Sequence, residues 1–119
     1  MTQIFVLDDD VVVLRAVEAA LSGLGEVTAS TLWSEISGEV IRCGRQRGAQ
    51  TLLVSDLSMP GIAGADFCRI VRAYSPEAKI VIFTGNGGGV SVDAANALVS
   101  KSAGIEELVR VVTGLLGPN

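Results

Sequence analysis

Five residues carry side chains suited to holding a hard cation beside a phosphate: Asp8, Asp9, Asp56, Thr84 and Lys101. Asp8 and Asp9 belong to FVLDDDVVVL (residues 5–14), where three adjacent carboxylates lie between two apolar runs. Neighbouring negative charges beside a hydrophobic core are unfavourable unless a cation or hydrogen bonds compensate them. With Asp56, the pair Asp8 and Asp9 forms an oxygen-rich set for a divalent ion, expected to be Mg²⁺ with Mn²⁺ as a substitute. Such an ion keeps several waters and shares its remaining positions with phosphate. Thr84 can donate to a phosphoryl oxygen and Lys101 can pair with another, the kind of charge stabilisation that dominates phosphoryl transfer. A carboxylate is itself a competent phosphoryl acceptor. Asp10 stands directly before a helical pattern and is read as its N-cap.

These residues can act together only if the fold gathers them. QIFVL (residues 3–7), EVTAS (26–30), TLLVS (51–55), KIVIFT (79–84) and LVS (98–100) read as strands, three of them as apolar runs fit for burial on both faces. Between them, Leu14, Val17, Leu21 and Leu24, with GLG (23–25) closing that helix, then Trp33, Ile36 and Val40, then Phe67, Ile70, Val71 and Tyr74 recur at helical spacing. Ile105, Leu108, Val109, Val112, Leu115 and Leu116 mark an amphipathic last helix. Alternating strands and helices predict an α/β fold, a doubly wound five-stranded parallel sheet covered on both faces. In such sheets ligands bind beyond the carboxyl ends of the strands. Asp8 and Asp9 end the first strand, Asp56 the third, Thr84 the fourth and Lys101 the fifth. Asp56 is then central, which makes it the best acceptor candidate.

Composition narrows the chemistry. The 119 residues predict one domain over 1–119, and 49% hydrophobic residues allow a sizeable core. With no histidine, Ser-His-Asp and Cys-His nucleophile pairs and histidine zinc sites are excluded. A net charge of −4 opposes direct nucleic-acid binding. Cys43 and Cys68 match no zinc spacing and are expected to be reduced and buried. No apolar run is long enough for a membrane span, and MTQIFVL reaches Asp8 too soon for a signal peptide, so a cytoplasmic protein is expected. GNGGGV (85–90) lacks the Lys-Ser/Thr of a P-loop, and no organic cofactor site is expected. Trp33 is read as a packing residue, and Met59 and Pro60 as shaping a loop.

VLDDD (6–10), LLVSDLSMPG (52–61), FTG (83–85) and SKS (100–102) resemble, in this order along essentially the whole chain, the receiver domain of bacterial two-component response regulators. The resemblance implies a flavodoxin-like topology and a phosphorelay role. It implies that Asp56 takes a phosphoryl group from a sensor histidine kinase or phosphotransfer protein. Asp9 and Asp56 would bind Mg²⁺ directly, Asp8 through water, and the backbone carbonyl of Ser58 would complete the protein ligands. Thr84 and Lys101 would contact the phosphoryl group. Such a domain catalyses its own phosphorylation and slow dephosphorylation without being an enzyme on a diffusible substrate, and its output would pass through another, unidentified protein.

Three departures from the family pattern carry expectations of their own. Leu98 stands where the family usually has an aromatic residue, and an isobutyl group cannot make the same inward and outward switch. Ser102 replaces the usual proline after the lysine, so a trans peptide is expected there, with displacement of the loop carrying Lys101. The interval from Thr84 to Lys101 is short by about one helical turn and rich in glycine. A shortened, frayed or missing fourth helix follows. These departures motivate an alternative, a pseudo-receiver that binds proteins without a phosphorylation switch. A Mg²⁺-dependent phosphotransferase lacks a substrate-binding insertion, and a flavin phosphate would be repelled by the acidic pocket.

Overall fold

Ile4, Phe5, Val6 and Leu7 are each at most 2% exposed, so consecutive side chains of one strand are buried on opposite faces. A strand of this kind needs a layer of helices on each side. The computed structural model, which describes residues 2–46, 48–58, 61–85 and 92–117, supplies both layers. Strands β1 (Thr2–Leu7), β2 (Glu26–Ser30), β3 (Gln50–Ser55), β4 (Lys79–Thr84) and β5 (Ala97–Ser100) alternate with helices α1 (Val11–Leu21), α2 (Trp33–Gly44) and α3 (Gly64–Tyr74). A 3₁₀ turn (Lys101–Ala103) leads into the last helix, α4 (Ile105–Leu116).

All five strands are parallel, in the order β2-β1-β3-β4-β5. Crossovers on both sides of β1 and β3 put the switch in strand order beside the ends of those two strands, where an α/β sheet opens a crevice. On one face Ile4, Val6, Leu52, Val54, Val81 and Phe83 pack with Leu14 and Val17 of α1 and Leu108 and Val112 of α4. On the other, Phe5, Leu7, Leu53, Ile80 and Ile82 pack with Ile36 and Val40 of α2 and Phe67 and Val71 of α3. Cys43 and Cys68 are both free and buried in that second core, as expected. Trp33 packs partly buried against it, its ring centroid 6.2 Å from that of Phe67. No described helix is long and apolar enough to cross a membrane.

The strands follow the sequence pattern closely, with β1, β3 and β5 beginning at Thr2, Gln50 and Ala97, each one residue earlier than expected, while α1 ends at Leu21, short of the expected Leu24. α2 runs through Gly38 to Gly44, since three buried residues on its inner face (Ile36, Val40 and Cys43) outweigh the weak helix propensity of glycine. Between β4 and β5 the described residues contain no helix. Residues 92–96 run as turns and bends, which excludes a full-length helix over 90–97. Residues 86–91 of the expected fourth helix lie outside the described residues, as do Met59 and Pro60.

The exit of this connection is fastened by α3. The Arg72 guanidinium donates to the carbonyls of Ala94 (3.1 and 3.0 Å), Pro76 (2.7 Å) and Ala78 (2.6 Å), and to Asn96 Oδ1 (2.7 Å). Asn96 also takes the Ile80 N–H on its side chain and donates its own N–H to the Ile80 carbonyl. Backbone groups that a helix would have paired internally are thus paired with side chains instead. Val92 and Ala94, pressed down by this fastening, close the outer end of the core.

Candidate functional site

Asp8 and Asp56 are each positioned by the last bond of a strand ladder. The Asp8 N–H donates to the Ser30 carbonyl across to β2, and the Asp56 N–H to the Leu7 carbonyl across to β1. Both residues therefore project from strand ends one step past their regular pairing. Asp8 and Asp56 are buried, 3% and 6% exposed, whereas Asp9 is exposed. One carboxylate oxygen from each of Asp8, Asp9 and Asp56 lies within 4.8 Å of the others.

Local backbone donors orient the two buried carboxylates. Asp8 Oδ1 accepts the Asp10 N–H at 2.9 Å, and Asp56 Oδ1 accepts the Leu57 N–H at 2.7 Å. Asp10 takes a different role and caps α1, accepting from the N–H groups of Val12 (3.0 Å) and Val13 (3.4 Å). The remaining oxygens of the buried pair meet one cation. Lys101 Nζ stands 2.9 Å from Asp8 Oδ2 and 2.9 Å from Asp56 Oδ2. Thr84, 1% exposed at the end of β4, also hydrogen-bonds the Asp56 side chain.

The two carboxylates respond differently to this shared setting. Burial pushes the Asp8 carboxyl above the usual carboxylate range, and the bonds from Lys101 and the Asp10 amide do not fully offset it. Burial acts on Asp56 in the same sense, but hydrogen bonds from Lys101 and Thr84 outweigh it and hold this carboxyl below its ordinary value. Burial disfavours the Lys101 ammonium too, yet its bonds to Asp56 and Asp8 raise it above the ordinary lysine value. Of the two buried carboxylates, Asp56 is the one more firmly kept ionised. Three hard oxygen donors in close reach suit a magnesium-sized cation better than a soft metal.

Lys101 reaches the acidic pocket with Ser102 in place of the usual proline. The peptide that follows it is trans. The Ser102 N–H, a donor that proline would lack, bonds Ser100 Oγ at 3.2 Å, and the two serine hydroxyls lie 2.7 Å apart. This pairing shapes the 3₁₀ turn and leaves the lysine directed into the acidic pocket. Leu98 is 37% exposed on β5, two residues from the end of the strand. Ser58 follows Asp56 in the same loop and is exposed.

Backbone groups that sequence motifs do not reveal complete the site. The amides of Asp10 and Leu57 orient the carboxylates, and Ser55 Oγ donates to the Asp56 carbonyl at 3.0 Å. For the last of these the sequence offers one signal, a serine just before Asp56.

The model of the response regulator receiver domain matches residues 4–113. The chain belongs to the response regulator receiver domain family. Its solved structural neighbours agree. The BeF₃-activated receiver domain of DrrB is 26% identical with a TM-score of 0.82, covering 98% of this chain and 97% of that one. TrrA from Thermotoga maritima, solved in complex with Mg²⁺-BeF, is 26% identical with a TM-score of 0.76, covering 97% and 99%. The chemotaxis protein CheY4 from Vibrio cholerae is 20% identical with a TM-score of 0.78, covering 97% and 98%, and shares the fold. This chain covers 52% of the longer DrrB chain from Thermotoga maritima, described as an OmpR/PhoB homologue. A comparison with curated proteins finds no match. The receiver fold, a flavodoxin-like five-stranded parallel sheet, is therefore the fold of this chain, and a cluster of acidic residues occupies the place where receivers are phosphorylated.

Proposed function

We propose that this receiver accepts a phosphoryl group on Asp56 from the phosphohistidine of a sensor histidine kinase or a phosphotransfer protein, and relays the signal through another protein. The observation that carries this reading is the placement of Lys101 Nζ at 2.9 Å from both Asp8 and Asp56. Asp9 completes the oxygen cluster. An Asp56 oxygen attacks phosphorus, the donor's P–N bond breaks, and the leaving nitrogen keeps the electron pair. Asp56, held ionised by Lys101 and Thr84, needs no general base for this attack. Lys101 and the Thr84 hydroxyl are placed to turn from the free carboxylate to the phosphoryl oxygens as charge develops there.

Asp8, Asp9, Asp56 and the Ser58 carbonyl would hold Mg²⁺, with Mn²⁺ able to replace it. When bound, that ion supplies charge neutralisation on the phosphoryl group. A relative solved with Mg²⁺-BeF, 26% identical over nearly all of this chain, supports the assignment. The chain would act in the cytoplasm as a signalling receiver, without direct nucleic-acid or membrane contact and without turnover of a diffusible substrate.

The second reading is a pseudo-receiver that binds proteins unswitched. It draws on Leu98, exposed on β5 where an aromatic side chain would read out the switch. Intact-mass measurement after incubation with acetyl phosphate separates the two. One phosphoryl group gained only with Mg²⁺, and lost in Asp56→Asn, is the expected result. No gain in the wild type, with no thermal shift on adding Mg²⁺, would favour the pseudo-receiver.

A further inference from the structure

Gly64, the first residue of α3, lies directly on the backbone of the acceptor residue. A Cβ built on Gly64 would fall 1.9 Å from the Asp56 carbonyl oxygen and 2.7 Å from Leu57 Cα. Unstrained non-bonded contacts of this kind need about 3.5 Å. The Gly64 N–H also donates to the Leu57 carbonyl at 2.9 Å. Leu57 in turn donates its own N–H to Asp56 Oδ1 at 2.7 Å. Leu57 is therefore held at both ends, by α3 on one side and by the acceptor carboxylate on the other. The carboxylate's other oxygen then meets Lys101.

We infer that Gly64 is a positioning residue for phosphoryl transfer, whose missing side chain lets α3 seat the Asp56–Leu57 backbone so that the acceptor carboxylate faces Lys101. This rests on the functional reading above and adds to it a residue that touches neither phosphate nor metal. An alanine here must push α3 and the Asp56 peptide apart by on the order of 1 Å, since neither neighbour is a flexible side-chain end. A displacement of that size at a reacting group can reduce rate by about 10²-fold.

A second glycine supplies the control. A Cβ on Gly44 would fall 2.5 Å from Ser75 Cβ, a comparable collision. Gly44 closes α2 at the end of the sheet where β3 begins, the end away from Asp56. Gly44→Ala and Gly64→Ala should both lower the urea midpoint. Phosphorylation by acetyl phosphate is then followed by intact mass, and Mg²⁺ binding by Trp33 fluorescence and thermal shift, under conditions where both variants remain folded. Gly64→Ala is expected to slow phosphorylation by at least about 10-fold and to weaken Mg²⁺ binding, while Gly44→Ala keeps the wild-type rate and affinity. Equal rates in Gly64→Ala and wild type would overturn the assignment while leaving the functional reading intact. A wild type that neither binds Mg²⁺ nor gains a phosphoryl group would remove that reading, and this inference with it.

Should Gly64→Ala not fold, amide exchange in the wild type answers the same question. Coupling between the acceptor and α3 is reciprocal, so Mg²⁺ and acetyl phosphate should slow exchange at the Gly64 amide and leave that of Gly44 unchanged. No change at Gly64 would overturn the proposal.

Discussion

Asp8 is the residue at which stability and chemistry oppose each other. Its carboxyl is raised by burial, so the folded state holds this proton more tightly than the unfolded chain does. The sign follows from linkage. A carboxyl with a raised folded value contributes stability that is fully present below its unfolded value and is lost as pH rises through the folded one. At neutral pH the ionised Asp8 therefore weighs against folding unless a further cation compensates it. Asp8→Asn keeps the Oδ1 acceptor that receives the Asp10 N–H and removes the charge. The variant should have a higher urea midpoint than wild type in metal-free buffer and should gain less from added Mg²⁺. A lower midpoint would mean that the pair with Lys101 outweighs desolvation. The carboxylates were legible in the sequence because their types and strand-end positions both signal a site. Gly64 was not, since its contribution lies in a side chain it lacks. The retention of Lys101 was not legible either, because the bond from the Ser102 amide to Ser100 Oγ depends on the turn that it forms.

At the scale of elements, the described end of the connection between β4 and β5, residues 92–96, is non-helical and fastened to α3. Arg72 carries the fastening, with four bonds to carbonyl oxygens and one to Asn96 Oδ1. A lysine offers a point charge in place of the planar fork and cannot reproduce this pattern. Arg72→Lys should cost about 2 kcal/mol in urea unfolding. Combined with Asn96→Ala it should cost less than the sum of the two changes, since both act on one network. Full additivity would show that the two residues hold the segment independently. The strands were legible because β1, β3 and β4 are buried on both faces and carry unbroken apolar runs. The expected weakness of a fourth helix agrees with the non-helical course of the described residues 92–96. The fastening of that segment was not legible, because Arg72 in the sequence is one more helix arginine and its partners are mostly backbone carbonyls.

Across the whole molecule, the Asp56–Lys101 pair joins the end of β3 to the turn after β5 and so sets a pH window for stability. Asp56, held below its ordinary value by Lys101 and Thr84 against the opposing effect of burial, contributes stability present above 3.8 and lost as pH falls through its folded value. Lys101, raised by its two carboxylates against burial, contributes stability present below 10.5 and lost as pH rises through its folded value. Unfolding midpoints of wild type and Lys101→Met, measured across pH, should differ most between these limits and converge outside them. A difference that persists in strong acid would assign the effect of Lys101 to packing of its alkyl stem. The partners Asp56 and Lys101 are also 45 residues apart in the chain. A nascent chain therefore presents Asp56 well before the lysine that pairs with it has been synthesised. The buried carboxylates thus lack this counter-charge until the closing strand and its following turn are in place, and a chain cut short of residue 101 cannot assemble the pair.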